Sequence, residues 1–187
     1  MISWVLAILF LVALFWAATS DNFLAQGLQE SAGWKHDQGL VDRPFSVSPH
    51  NLRYYKFALP QGSVHVSIVG EFTASSDSGN AGGKSSAQPS QTQSDNNIEV
   101  YVMSEPAFIA WQNGYATSNV YESGRVSHGS FQADMPSGAG IYYLIFNNKF
   151  APSTAKQVTA DVLLHYKNWL PESFRRMSER FWNWIGL

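Results

Sequence analysis

The sequence predicts an all-β protein: an antiparallel β-sandwich of the jelly-roll kind, flanked by a transmembrane helix at the N-terminus and an amphipathic helix at the C-terminus. Seven or eight short runs alternate apolar and polar residues, and turn-forming residues separate them. Neither a strand–helix–strand rhythm nor a helical repeat interrupts these runs. We therefore divide the chain into a membrane anchor (or uncleaved signal) over 1–20, a linker over 21–40, the sandwich over 41–167 and a helical tail over 168–187.

The N-terminal segment over 1–18 contains no charged residue, no proline and no glycine. At about 1.5 Å per residue such a helix approaches the ~30 Å thickness of the hydrocarbon core. A cleaved signal peptide is the alternative, and the small residues at 17–19 would suit cleavage, but the first basic residue is Lys35. The pattern favours a retained anchor with tryptophans near its ends. Its anchor residues are Trp4, Leu9, Phe10, Leu14, Phe15 and Trp16.

The orientation of this single-pass segment follows from the rest of the chain. No Lys or Arg lies close to the span, so the positive-inside rule does not decide the orientation. The remaining chain is typical of an exported folded domain. We therefore expect a cytoplasmic N-terminus and a main domain on the periplasmic or other extracytoplasmic side of the membrane.

The sandwich strands are predicted from alternation of apolar residues. The run over 141–146 is apolar throughout, which is typical of a strand buried on both faces. Gly70 predicts a bulge or bend inside its strand. The segment over 106–112 predicts one or two helical turns, ended by Asn113 and Gly114. The other predicted strands fall within 41–47, 54–59, 64–72, 98–102, 120–131 and 158–166.

The stretch over 74–97 consists mainly of Ser, Gly, Gln and Asn and offers almost nothing to bury. This composition predicts a flexible loop between two strands. It is either a tolerated surface insertion or a segment that orders on binding a partner.

The tail changes to a helical period, and Pro171 suits a first helical position. An aromatic stripe opposite three arginines is typical of a helix lying in the membrane interface or against a partner protein. Packing on the end of the sandwich is the alternative. The predicted contact residues are Trp169, Phe174, Arg175, Arg176, Met177, Arg180, Phe181, Trp182, Trp184 and Ile185.

Composition and motifs argue against catalysis and nucleic-acid binding. The chain has 12 Lys and Arg against 14 Asp and Glu, unlike a basic nucleic-acid binder, and it has no cysteine. Its five histidines have no metal-ligand spacing, and no nucleophile elbow, phosphate loop or dinucleotide motif is present. We therefore predict no catalytic residue, no cofactor and no metal. Aromatic candidates for ligand binding are Tyr54, Tyr101, Trp111, Tyr115 and Tyr121.

The end of the sandwich resembles a known family. The run Gly140-Ile-Tyr-Tyr-Leu-Ile-Phe-Asn-Asn, followed by Lys156-Gln-Val158, is similar to the final strands of GOLD (Golgi dynamics) domains of the p24 type. The resemblance implies a compact β-sandwich that binds proteins or lipids without catalysis, often beside a membrane. It transfers no ligand residues, and the disulfide of p24 proteins has no counterpart here.

Three functions follow as hypotheses. The first is a non-catalytic, membrane-anchored accessory subunit that contacts membrane lipid and stabilises or links a larger membrane complex, such as a bioenergetic or photosynthetic one. The second is an extracytoplasmic module that binds a ligand, carbohydrate or cargo, which requires clustered aromatic residues. The third is a hydrolase, which requires two carboxylates or a His–carboxylate pair within about 10 Å in a cleft.

Overall fold

The computed structural model describes residues 5–6, 8–13, 33–76 and 96–168. Four predicted anchor residues, Trp4, Leu14, Phe15 and Trp16, lie outside these residues, as do most of the predicted loop and the whole of 169–187.

The described N-terminal residues are helical, and their large apolar side chains are exposed. Leu9 and Phe10, two of the predicted anchor residues, are 59% and 66% exposed. Within the described residues, no helix is both long enough and apolar enough to cross a membrane. The transmembrane anchor therefore stays a prediction.

The described chain from residue 33 onward forms two antiparallel sheets, which confirms the predicted all-β sandwich. Sheet A has the order β1-β9-β4-β7 with β2 also paired to β9, and sheet B has the order β3-β8-β5-β6. The strands and one helix are β1 Trp34–Val41, β2 Phe45–Val47, β3 Leu52–Leu59, β4 Val64–Ser76, β5 Ile98–Ser104, α1 Glu105–Gln112, β6 Tyr121–Val126, β7 His128–Asp134, β8 Gly140–Asn147 and β9 Lys156–Asn168. Most connections cross between the sheets, as in a jelly roll.

The core lies between the two sheets, because alternate side chains of each strand point inward. β4 and β9 supply most of the apolar side chains that sheet A contributes to the core, and side chains of β5 and β8 of sheet B face them. Its fully buried members include Ile68, Val100, Val102, Leu144, Phe146, Val158, Val162 and Leu164.

Several predicted boundaries are wrong. The linker over 21–40 includes β1, which begins at Trp34, because this edge strand is mostly exposed and shows no apolar alternation. β4 remains paired up to Ser76, so the loop predicted from residue 74 begins later. β9 remains paired up to Asn168, so the tail predicted from residue 168 also begins later. The run over 120–131, in contrast, is predicted to form one or two strands, and it forms two, β6 in sheet B and β7 in sheet A.

The long strand β9 defines the two ends of the sandwich. Trp34 pairs with Asn168 at what we call the terminal end, where residues 33 and 168 adjoin the undescribed segments. Ser76 and Val47 both pair with Lys156 at the other end, the loop end. Thirteen residues of strand separate these ends by about 40 Å.

Two glycines in β4 and β7 make room for phenylalanine rings. Gly70 lies opposite Phe131, and Phe72 lies opposite Gly129. A Cβ atom at Gly70 would come within 2.9 Å of the Phe131 ring and of the Val162 side chain. A Cβ atom at Gly129 would come within 2.9 Å of the Phe72 ring. Each glycine therefore accommodates the ring across from it.

The bulge predicted at Gly70 is wrong, because close packing rather than a bend explains this glycine. The register shift between β4 and β9 falls instead between Val64 and Ser67. Within it, His65 has a φ of 50°, which non-glycine residues rarely adopt.

Asn148 ties three segments together near the loop end. Its buried side-chain amide donates to the carbonyl oxygens of Val47 (3.3 Å), Ser48 (3.1 Å) and Thr154 (2.8 Å). Its backbone nitrogen donates to Asn51 at 2.9 Å. One side chain therefore joins the end of β2, the approach to β3 and the turn between β8 and β9.

We expect Gly70→Ala to lower the free energy of unfolding by about 1–3 kcal/mol, because the added methyl group overpacks the core. Urea unfolding of the full chain in mild detergent measures this change. Gly39→Ala is the matched control, since a Cβ atom there meets nothing within 4 Å. Equal unfolding midpoints for the two variants would contradict the packing argument.

We expect Asn148→Ala to cost about 1–3 kcal/mol in the same unfolding assay, because one buried and two part-buried hydrogen bonds to carbonyl oxygens are lost. Gln157→Ala, at an exposed position in β9, serves as the control. An Asn148→Ala protein as stable as this control would show that the three hydrogen bonds do not hold the loop end.

Candidate functional site

The outer face of sheet B carries the first candidate surface, the aromatic face. It consists of Tyr54, Tyr101, Phe108, Trp111 and Tyr143, which contact one another on β3, β5, β8 and α1. Met103 and Ile145 complete its buried part. The outer side chains of β8 are thus covered, which confirms that this strand is buried on both faces.

The helix α1 forms the cover of the aromatic face. Pro106 lies in its first turn, Asn113 ends it, and Gly114 follows with a φ of 81°. The Phe108 ring stacks on Tyr143 with ring centroids 4.4 Å apart. Because Phe108 is only 4% exposed, α1 is held by its aromatic contacts with the sheet.

Glu105 connects α1 to the sheet by polar contacts. Its Oε1 accepts hydrogen bonds from Lys56 Nζ at 3.0 Å and from the Tyr143 hydroxyl at 3.1 Å. The hydrogen bond from Lys56, followed by that from Tyr143, lowers the pKa of Glu105. The same Glu105 contact raises the pKa of Lys56.

A second carboxylate, Glu99, is held on the same face of sheet B. It accepts hydrogen bonds from Asn147 at 2.6 Å, Arg125 at 2.7 Å and the Tyr101 hydroxyl at 3.2 Å. Burial, followed by the charge of Glu99, raises the pKa of Tyr101. These contacts join β5, β6 and β8 and form a polar network that borders the aromatic face.

The predicted ligand-binding aromatics are only partly brought together. Tyr54, Tyr101 and Trp111 belong to the aromatic face, but Tyr101 is only 8% exposed and Trp111 is half-buried. Tyr115 follows α1 and is 71% exposed. Tyr121 instead stacks on Phe131 at the edge of the core. Among these five predicted residues, Tyr54 and Tyr115 therefore have the most accessible rings.

The terminal end holds the second candidate surface, the terminal cleft. This open cleft has a volume of about 380 Å³. Its lining comes from three strands of sheet A, β1, β4 and β9. The lining residues are Lys35, His36, Asp37, His65, His165, Tyr166 and Lys167.

The cleft contains two side-chain pairs that cross from β1 to β9. Asp37 Oδ1 lies 2.5 Å from His165 Nδ1. The His36 ring stacks on Tyr166 with centroids 5.0 Å apart. Lys35 lies directly opposite Lys167 in the same register. The sequence interpretation missed this arrangement because it assigned β1 to a linker.

Sheet A carries a carboxylate pair and a His–carboxylate pair of the kinds that a hydrolase requires. Glu71 of β4 lies opposite Asp161 of β9, beside Ser130 in an open depression of about 480 Å³. The Asp37–His165 pair is the other example. All four side chains reach solvent, and within residues 33–76 and 96–168 no three His, Asp or Glu side chains converge as metal ligands.

We expect the stabilisation by Glu105 to depend on pH. Because its folded-state pKa is lowered, this stabilisation is present above the unfolded-state pKa and is lost as the pH falls through the folded-state pKa. The melting temperatures of the native chain and of Glu105→Gln should differ near neutral pH and converge in acid. Asp42→Asn is the control, since Asp42 contacts the neighbouring Arg43 in an exposed ion pair. The side chains of Asp42 and Arg43 are 80% and 88% exposed. A pH-independent difference for Glu105→Gln would contradict the assignment.

Comparison with protein-family models finds no match for this chain, and comparison with curated proteins finds none either. The resemblance to GOLD domains therefore stays a prediction.

Proposed function

We propose that this protein is a non-catalytic accessory subunit, anchored by its N-terminal segment, that stabilises or links a larger membrane complex on the extracytoplasmic side. The observation that carries the proposal is the pairing of Trp34 with Asn168. It brings the chain that follows the N-terminal apolar segment and the chain that precedes the aromatic tail to one end of the sandwich.

Of the two segments, the tail restricts the distance between the sandwich and the membrane more closely. Trp169 follows Asn168 directly, so a tail lying in the membrane interface keeps the end of β9 within a few ångströms of that interface. The segment over 21–33 spans up to about 45 Å when extended and allows the same placement. Exposed apolar side chains in the N-terminal helical residues, such as Leu9 and Phe10, also support a membrane or protein environment for them.

The aromatic face is the surface that we assign to a protein partner. Ile109 on α1 and Tyr115 after it are 54% and 71% exposed, and Tyr54, which contacts Phe108 of the same helix, is 51% exposed. Aromatic and large aliphatic side chains on a rigid support are typical of interface anchors. The contacts of α1 with sheet B provide this support.

Ligand binding is the second candidate function, and the half-exposed Tyr54 ring favours it. The centroid of this ring lies 5.5 Å from the ring centroids of Phe108 and Tyr143, so the ring is held in place at the surface. Such a ring can stack on a sugar or another flat apolar group. Retention of the native chain, but not of Tyr54→Ala, on immobilised oligosaccharides would support this alternative.

The test of the accessory-subunit proposal is purification of the full chain through an affinity tag inserted in 77–95, in gentle detergent. We expect native mass analysis to give a large complex and the intact mass to retain the N-terminus. A trimmed, partner-free monomer would contradict the proposal.

Two variants then test the partner surface. We expect Ile109→Ser combined with Tyr115→Ser to reduce co-purification of the partner, because the variant loses two side chains of the proposed contact. These exposed side chains contribute little to the fold, so the variant should remain folded. Leu163→Ser is the matched control, since Leu163 is 38% exposed on the outer face of sheet A. Equal recovery of the complex with both proteins would assign the contact to another surface.

A further inference from the structure

We propose that the terminal cleft binds the phosphate of an anionic phospholipid headgroup and thereby orients the sandwich on the membrane. The inference rests on the proposed membrane anchoring, and it adds a specific lipid contact to it.

The charge of the cleft supports an anionic ligand. Lys35 and Lys167 against Asp37 give a formal charge of +1 with histidines neutral, whereas the whole chain has a charge of −2. The two lysines lie directly opposite each other on neighbouring strands. Side chains at directly opposite positions are close neighbours, so both ammonium groups are within reach of one anion. Phosphate oxygens are suitable acceptors for lysine ammonium groups.

Two histidines of the cleft, His65 and His165, lie beside the lysines. Asp37 lies 2.5 Å from His165 Nδ1, so its charge is directed to that ring and the imidazole is held in a fixed orientation. His65 lies in the register shift of β4 with a φ of 50°. A strained non-glycine backbone that places a side chain in a cleft is typical of binding sites.

The position of the cleft favours a membrane lipid over a free phosphate ion. Trp34, next to Lys35, is 70% exposed at the terminal end. Exposed tryptophans are typical of the headgroup level of a membrane. In the sequence, a second tryptophan, Trp169, directly follows Asn168, the partner of Trp34.

The outer face of sheet A is less acidic at the terminal end, where Asp37 and Asp134 offset the two lysines, than at the Glu71–Asp161 pair. Asp161 and Glu71 face each other in the sheet, and Asp161 precedes Lys167 by six residues of β9, which is about 20 Å. An anionic surface attracts the lysine end and repels the carboxylate pair. The membrane therefore favours contact at the terminal end.

The experiment places the full chain in nanodiscs of phosphatidylcholine with or without phosphatidylglycerol. The chain has no cysteine, so Ser137→Cys provides one labelling position beside His65 at the terminal end. A fluorophore there reports quenching by a headgroup-attached nitroxide. Ser75→Cys, exposed near the loop end, is the control position.

We expect quenching at Ser137→Cys to be stronger with phosphatidylglycerol than without it, and quenching at Ser75→Cys to be unaffected by phosphatidylglycerol. Lys35→Gln combined with Lys167→Gln should reduce quenching to the level in phosphatidylcholine. Arg43→Gln combined with Lys149→Gln removes the same charge outside the cleft and should leave quenching unchanged. Quenching that is independent of phosphatidylglycerol, or equal losses in the two double variants, would overturn the proposal.

Two further measurements separate the remaining outcomes. Failure of the chain to float with phosphatidylcholine vesicles would overturn the anchoring proposal itself, whereas flotation without quenching overturns only the headgroup site. Inorganic phosphate added in lipid-free detergent tests the other phosphate source. Shifts of the His65 and His165 resonances by phosphate, without quenching by the lipid probe, would assign the cleft to free phosphate and overturn the headgroup proposal.

Discussion

The hydrogen bonding of β9 along both of its edges is the constraint on which the rest of the structure depends. β1 and β2 occupy one edge and β4 occupies the other. Because an antiparallel partner runs back along the strand, β1 must begin where β9 ends. The terminal end, the terminal cleft and the remote position of the loop end all follow from this pairing.

Sheet B depends on a different constraint, which is the burial of β8 on both faces. Its inner side chains complete the core, and its outer side chains would be exposed without α1. The aromatic stacking of Phe108 and the polar contact of Glu105 with Lys56 both hold α1 in place. The helix therefore acts as a structural cover, and its exposed side carries Ile109.

The sandwich could be predicted from the sequence because its inner strands alternate apolar and polar residues, and the double burial of β8 because its run is apolar throughout. β1 could not, because an exposed edge strand has no such pattern. The terminal cleft was missed for the same reason: Asp37 and His165 are far apart in sequence and meet only through strand pairing. The predicted aromatic cluster was found in part, since period-2 alternation does not indicate which aromatic rings a helix covers.

The reciprocal glycine–phenylalanine pairs of β4 and β7 have a consequence for folding fidelity. A slip of two residues keeps every side chain on its proper side and is therefore the error that apolar patterning cannot prevent. One such slip would set Phe72 against Phe131, and the other would set Gly70 against Gly129. The first creates a collision and the second a void, so the native alignment is the one arrangement of the three in which both rings are accommodated.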